Sequence, residues 1–424
     1  MAQTQIPAGH ALARKVFGAA IFAEVTRKNS FSTRLTAPAP KQGQTERKLK
    51  SDQSSPDYPF VRITDLNKGE GDTVSVDLFN ILQGKPTMGD RKISGNMMAL
   101  ENDSMDIKID QMRGGVDVGG RMTQHRTVHK LRTIGRAGLT GWWVRALDQL
   151  KLIHASGGRG AMDTADWVIP LDTDADYSKI VVNSVVAPTY NRHFYAGDAT
   201  SIDTIDETDI LTLNDIDKLR AAVDEADVPL QPIVLEGDAG TWDEPLYVLY
   251  VSSRQWHYLQ NRTGASAWRT FLQNARERSA KNPLFSGDPG LWNGILVKKM
   301  QRVCRYNEND TATVATSADS FATETKTVGA SWSTSDPVGR HGVDRALLFG
   351  AQAVAEVWGK DSETGTHMRW WEEQTDHGNT WEASVAGIGG CAKLRFQDAN
   401  GVDTDHGIMV LDSYAPDPRY ITVA

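Results

Sequence analysis

RMTQHRTVHKLRTIGRAGLTGWWVRALDQLKLIHA, residues 121–155, decides the architecture. Val128, Leu131, Gly135, Gly138, Trp142, Ala146, Leu150 and Ile153 recur at steps of three and four, the spacing of one helical face. Arg121, Arg126, Lys130, Arg132, Arg136, Arg145 and Lys151 make the stretch basic, with Asp148 its one acid. Gly157 and Gly158 follow as natural stops. The spacing predicts a single helix over 121–155, about 50 Å long. That is well beyond the usual globular length of about 11–12 residues, and it implies an elongated molecule.

On the N-terminal side, residues 61–118 read as strands. Val74, Val76 and Leu78 alternate with polar residues, and so do Met105, Ile107 and Ile109. Period two marks a half-buried antiparallel strand. Between these runs lies 84–95, rich in glycine and charge, too long for a tight turn and predicted to project. Residues 1–60 read as an arm, not a domain. Prolines 38, 40, 56 and 59 punctuate a polar, lysine-rich stretch that cannot bury enough apolar surface to offset its ordering entropy. Residues 11–27 are predicted to form one short helix. Such a helix is marginal alone, so Phe17, Ile21 and Phe22 are expected to clamp a neighbouring subunit. The alternative partner for this basic arm is nucleic acid.

On the C-terminal side, Thr212 and Asp215 form a weak capping box for a helix with Ile216, Leu219, Val223 and Ala226 on its apolar stripe. Leu246 to Val251 reads as a strand. Ser252 and Gln255 cap the next helix, and Trp268, Phe271, Leu272 and Ala275 mark another. Residues 307–338 read as a surface loop or ragged hairpin. Arg345 to Trp358 reads as a strand then a helix, or as one buried helix. Residues 386–396 and 407–414 read as closing strands. Helices and strands mix without regular alternation, so the fold class is α+β.

With 424 residues, 40% of them hydrophobic, the chain can bury a large core without staples. A net charge of −8 is too mild to mark a polyanion-binding protein as a whole. Cys304 and Cys391 stand apart and fit neither a disulfide framework nor a zinc site. No run is long enough for a membrane span, and no secretion signal is read. Nucleotide loops, HExxH and GxSxG are absent. His125 and His129 have helical spacing for a metal but no third ligand nearby. Glu372, Glu373, Asp376 and His377 form the best acid/base cluster. Together with Trp142-Trp143 and Trp370-Trp371 they sustain one rival reading, a carbohydrate-active enzyme or binder. Adjacent tryptophans diverge, however, so one of each pair is expected in the core. No catalytic residue, metal or cofactor is assigned.

Five runs carry a resemblance. They are DTVSVDLFNILQGKPTMGD (72–90), KIDQMRGGVDVGGRMTQHRTVHKLR (108–132), NPLFSGDPGLWNGILV (282–297), RALLFGAQAVAEVWG (345–359) and EEQTDHGNTWEASVAGIGGCAKLRF (372–396). Their joint order resembles the major capsid proteins of lytic short-tailed and related tailed bacteriophages, with His377 standing where a tyrosine is expected. The resemblance implies the Hong Kong 97-type capsid fold. It implies an arm at 1–60, an extended loop at 61–118 and a spine helix with peripheral domain at 119–229. It further implies a mostly axial domain at 230–395, and strands at 396–424 returning to the peripheral domain. The implied function is self-assembly into hexamers and pentamers of an icosahedral head enclosing double-stranded DNA without sequence specificity, in the virion, after assembly in the host cytoplasm. A separate scaffolding protein, a portal and a cement protein are implied as further partners. An encapsulin-like compartment shell is the alternative within the same fold. Gly84, Lys85, Pro86, Met88, Arg91 and Lys92 of the projection are the expected contacts with an adjacent subunit.

Overall fold

The computed structural model describes residues 21–22, 24–25, 30–36, 57–66, 72–79, 85–95, 97, 102–234, 245–278, 289–318, 322–332, 340–361, 363, 365–397 and 401–421. In chain order the strands begin with β1 (Phe60–Leu66), β2 (Thr73–Phe79), β3 (Asn102–Lys108), β4 (Asp110–Gly120), β5 (His193–Tyr195) and β6 (Tyr247–Ser252). They continue with β7 (Gly290–Trp292), β8 (Ile295–Met300), β9 (Arg305–Asn307), β10 (Thr311–Ala315), β11 (Thr323–Thr327) and β12 (Gly342–Phe349). The last are β13 (Val354–Gly359), β14 (Met368–Thr375), β15 (Thr380–Lys393), β16 (Arg395–Gln397), β17 (Asp403–Asp405) and β18 (Ile408–Tyr414).

Two sheets organise them. A seven-stranded sheet runs β5-β18-β12-β6-β8-β7, with β9 also on β12. Its strands β6, β12 and β18 are buried at every position, as expected where a sheet is covered on both faces. The helix Leu213–Asp224 covers one face through Ile216, Leu219 and Val223. Its capping box is formed: Asp215 accepts from the Thr212 N–H at 2.9 Å and the hydroxyl at 2.6 Å. The Ser252–Gln255 box is formed likewise, starting the helix Ser253–Arg262.

The five-stranded sheet is built around β15. Its first half pairs with β14 on one edge and β4 on the other, and its second half pairs with β13, which carries β1 in parallel. The hairpin β2–β3 leaves this sheet as a separate ribbon, in register from Thr73 opposite Lys108 to Phe79 opposite Asn102. Its root is held by Ile107, with Val74, Val76 and Met105 turned toward Ala355, Val357 and Phe396.

The long helix joins the two sheets. Leu139, Trp143 and Val144 pack on Trp358, Met368, Trp370 and Val385 of the five-stranded sheet. Leu152 and Ala155 pack among Val248, Leu347 and Val410 of the seven-stranded sheet. Gly157 ends the helix at φ 69°, where a Cβ would lie 2.7 Å from the Val186 carbonyl.

Three expectations are corrected. The helix over 121–155 is two helices, Arg121–Arg126 and Leu131–Ser156, separated by an extended link. Val128, counted on the apolar stripe, is fully exposed there. Thr127 and Val128 are β-branched, and the Thr127 hydroxyl accepts the His129 N–H, giving the backbone an alternative to the helix. His125 and His129 therefore do not share a helical face. The second half of 345–358 is strand β13, not helix; with its six residues all buried, the apolar run carried no period. Residues 354–393 build the five-stranded sheet, whereas β18 lies beside β12 in the seven-stranded one.

Buried ion pairs tie the joint. Arg345 and Asp412, both with fully buried side chains, are paired by bonds of 2.8 and 2.7 Å, and His193 Nε2 meets Asp412 at 2.7 Å. The third Arg345 bond goes to the Ser156 carbonyl at 2.7 Å, the last residue of the long helix. Burial disfavours the Asp412 charge, but Arg345 and His193 hold its carboxyl well below the usual range. Nearer the middle of the helix, Lys151 meets Glu356 at 2.9 Å, and Arg62 and the Trp358 indole complete that carboxylate's shell at 3.0 and 2.8 Å.

Removing one member of the first pair leaves a buried charge. Arg345→Met or Asp412→Asn should each cost about 3–5 kcal/mol of subunit stability. The Arg345→Met/Asp412→Leu double variant should cost less than the sum. Urea midpoints of the unassembled subunit decide this, and strict additivity would contradict it. The Glu356 carboxyl is opposed by burial but held down to about 2 by Arg62 and then Lys151, from an ordinary 4.5. A depressed folded-state value gives stability above the unfolded value that is lost as pH falls. Midpoints should therefore drop as the pH is lowered from 4.5 toward about 2, and Glu356→Gln should flatten that slope.

Candidate assembly interface

The projection is where the sequence placed its contacts. Lys85, Pro86, Met88, Arg91 and Lys92 are all exposed, while Gly84 lies outside the described residues. Met88, Ile93 and Met97 are 71, 62 and 76% exposed. Gly89 and Gly95 adopt φ of 64° and 94°, turning the backbone where a side chain would be strained. Three large apolar side chains on one ribbon tip, with cations between them, form an exposed apolar surface among the described residues.

The arm behaves differently. Phe17 lies outside the described residues. Ile21 and Val25 are buried in the chain's own cluster, against Leu139, Trp143 and Trp358. Phe22 stacks on His367 at 4.6 Å and meets Trp358 edge-on at 5.4 Å. Farther along, the Ser32 N–H and hydroxyl both donate to Asp148 on the long helix. Phe31 lies edge-on to Phe60 and Tyr250. Within the chain, Ile21 and Phe22 pack on the long helix and the five-stranded sheet. A marginal helix docks on the nearest apolar surface, and here that surface is the long helix.

A third surface was not singled out. At the elbow before the long helix, Met122, Val128 and Ile134 are 60, 100 and 55% exposed. Arg121, His125, Arg126, His129 and Lys130 are exposed beside them. Lys130 occupies the N-cap position with no side-chain cap bond, and the first turn holds no acid. Cations at a helix N-terminus oppose the macrodipole by roughly 0.3–1 kcal/mol each. The run of basic residues between 121 and 136 was visible in sequence. The break in the helix that exposes it was not.

The rival chemistry finds no support in the geometry. Glu372 is held by Arg132 in two bonds of 2.9 and 2.6 Å, and Glu373, the next residue on β14, takes the other face of the strand. One tryptophan of each pair is core: Trp143 at 1% and Trp370 at 4% exposure. Among the described residues no three His, Cys, Asp or Glu side chains could hold a metal. None of their helices is long and apolar enough to cross a membrane. A pocket of about 250 Å³ lies beside the long helix. Burial, then Lys393, lowers its His154 to about 4, and burial raises its Cys391 thiol to about 12. Both are uncharged at neutral pH.

The two-sheet architecture is similar to that of known proteins. A family model described as phage capsid protein matches residues 5–417. The major capsid protein of Pseudomonas phage KPP25 is 25% identical over 381 residues, spanning 82% of this chain and 85% of that protein. The capsid of Ralstonia phage GP4 is similar in structure, with a TM-score of 0.71 and 25% identity over 99% of this chain and 96% of that one. The cyanophage Pam1 capsid shares the fold at a TM-score of 0.56 and 18% identity, over 85% and 89%. The chain belongs to the phage capsid protein family: it is a structural subunit repeated in the shell of a virion, not an enzyme.

The uncapped elbow makes one prediction for the unassembled subunit. Lys130→Asp supplies the missing cap and removes an adverse charge, so it should stabilise by about 0.5–2 kcal/mol. Chemical denaturation measures this. No gain would mean that the first turn is already satisfied.

Proposed function

We propose that this member of the phage capsid protein family is the major capsid protein that builds hexamers and pentamers of an icosahedral head around double-stranded DNA. The observation that carries the reading is the projecting ribbon, whose tip exposes Met88, Ile93 and Met97 among the described residues. In the proposed arrangement, Gly84, Lys85, Pro86, Met88, Arg91 and Lys92 lie over the adjacent subunit. Ile21 and Phe22 act one step back, by fixing the long helix from which neighbours are gripped.

The seven-stranded sheet serves as the axial domain, closing the ring, and the five-stranded sheet with the long helix as the peripheral domain. Head-to-tail contacts that close by rotation generate such rings. A permanent assembly of this kind buries more than about 2,000 Å² per contact, so weak single contacts accumulate. Assembly in the host cytoplasm, and partnership with a portal, a scaffolding protein and a cement protein, belong to the same proposal. DNA is held without sequence readout, since phosphate contacts carry none.

Deleting residues 84–95 tests it. The deleted chain should remain soluble and folded by circular dichroism, yet give no stable shells by electron microscopy, where the intact chain gives closed icosahedral particles. Normal shells from the deletion would overturn the role of the projection. Particles of intact protein without nuclease-protected DNA, made during infection, would favour a compartment shell instead.

A further inference from the structure

Two sets of unpaired charge meet at one end of the molecule. The elbow presents Arg126 and Lys130, which have no carboxylate partner among the described residues. Beside it stands the β14–β15 hairpin, whose tip presents Glu373, Asp376 and Glu382, all exposed and none in an ion pair among the described residues. The backbones are locked together. The Arg121 N–H donates to the Asn379 carbonyl at 3.1 Å, Arg121 Nε to the Gly378 carbonyl at 3.2 Å, and Arg132 is bound to Glu372. β4 is zipped to β15 from Gly120 opposite Thr380 onward. Arg132 and Glu372 already pair across this junction, while the other charges named stay out of ion pairs among the described residues.

We infer that the elbow of one copy docks against the β14–β15 hairpin tip of the next, with Arg126 and Lys130 facing Glu373, Asp376 and Glu382. Placing both elements at one end makes this possible. A rotation axis beside that end sets each elbow against a neighbour's hairpin, and the contact closes.

The elbow also exposes Met122, Val128 and Ile134. Phosphates need no apolar side chains, so these favour a polypeptide partner over nucleic acid. The projection is excluded as that partner. Its described tip carries Lys85, Arg91 and Lys92 against Asp90, so it would meet the elbow with like charge. A neighbour's carboxylate would also relieve the uncapped, positively charged start of the long helix.

The inference rests on the shell reading and names one contact within it. The test uses the full chain in three forms: Arg126→Glu/Lys130→Glu, Glu373→Lys/Asp376→Lys, and all four changes together. Like charges across a contact cost several kcal/mol, so each pair of reversals should lower shell yield by at least about tenfold, and the combination should recover it to within about twofold. Sedimentation and electron microscopy measure yield. Circular dichroism and the Tm of the unassembled subunit check that each variant is folded. If a reversal unfolds the chain, Arg126→Gln/Lys130→Gln and Glu373→Gln replace it, with a shallower salt dependence of assembly as the expected result. Wild-type yield from either reversal, or no recovery in the combination, overturns the contact and leaves the shell reading standing. Normal shells that package less DNA would assign the elbow to nucleic acid and overturn it too. No shells from the unaltered chain would instead sink the shell reading itself.

Discussion

The guanidinium of Arg345 holds the molecule at its joint. Two of its bonds fix Asp412 on the neighbouring strand β18, and the third caps the carbonyl of Ser156 at the end of the long helix. That carbonyl is one of four at a helix C-terminus with no helical partner, and it carries the negative end of the macrodipole. A cation there answers both needs at once. Burial makes the arrangement all-or-none: the pair is useful only if every bond is made. The angle between the helix and the seven-stranded sheet therefore follows from where one side chain can reach.

The second network does the same for the other sheet. Lys151 stands just over a turn before Ser156, and its partner Glu356 sits on β13, beside Arg62 of β1. Both sheets are thus pinned to the last third of one helix by carboxylates that burial alone would neutralise. Two buried pairs on facing elements set a register and an angle that apolar packing, being non-directional, does not set. Asp148, one turn earlier, accepts the Ser32 hydroxyl and N–H and extends the pinning to the arm. The interior is consequently committed to shape.

Local rules explain what the sequence made legible. The strands of the projection, the capped helices and the core tryptophans could be read because each has a local rule: period two, a capping box, divergence of adjacent side chains. The family runs supplied the architecture. The break at Thr127 could not be read, because the basic and apolar spacing continues through it and only the side-chain competition at one threonine interrupts the helix. Strand β13 was misread because a run buried on both faces has no period to distinguish strand from helix. Membership of β18 in the seven-stranded sheet rests on pairing with β12, a strand far along the chain that no local pattern announces; the Arg345–Asp412 pair, 67 residues apart, accompanies it. For the candidate site, the projection's exposed residues were legible from their composition. The fate of Ile21 and Phe22 was not, since an apolar face does not say whose surface it meets.

A rigid joint with unsatisfied ends also has a physical logic. If the elbow cations and hairpin carboxylates were paired within one chain, the free subunit would be more stable and copies would have less reason to associate. β4 and β15 are zipped over ten residue pairs, which fixes the elbow beside the hairpin. In a free subunit those charges are solvated and contribute little. Brought together at a contact that excludes water, the same charges interact in a lower dielectric and select the orientation of the next copy. Stability of the fold and specificity of association are in this way assigned to different charges, one set fully buried around the long helix and the other held apart at its far end.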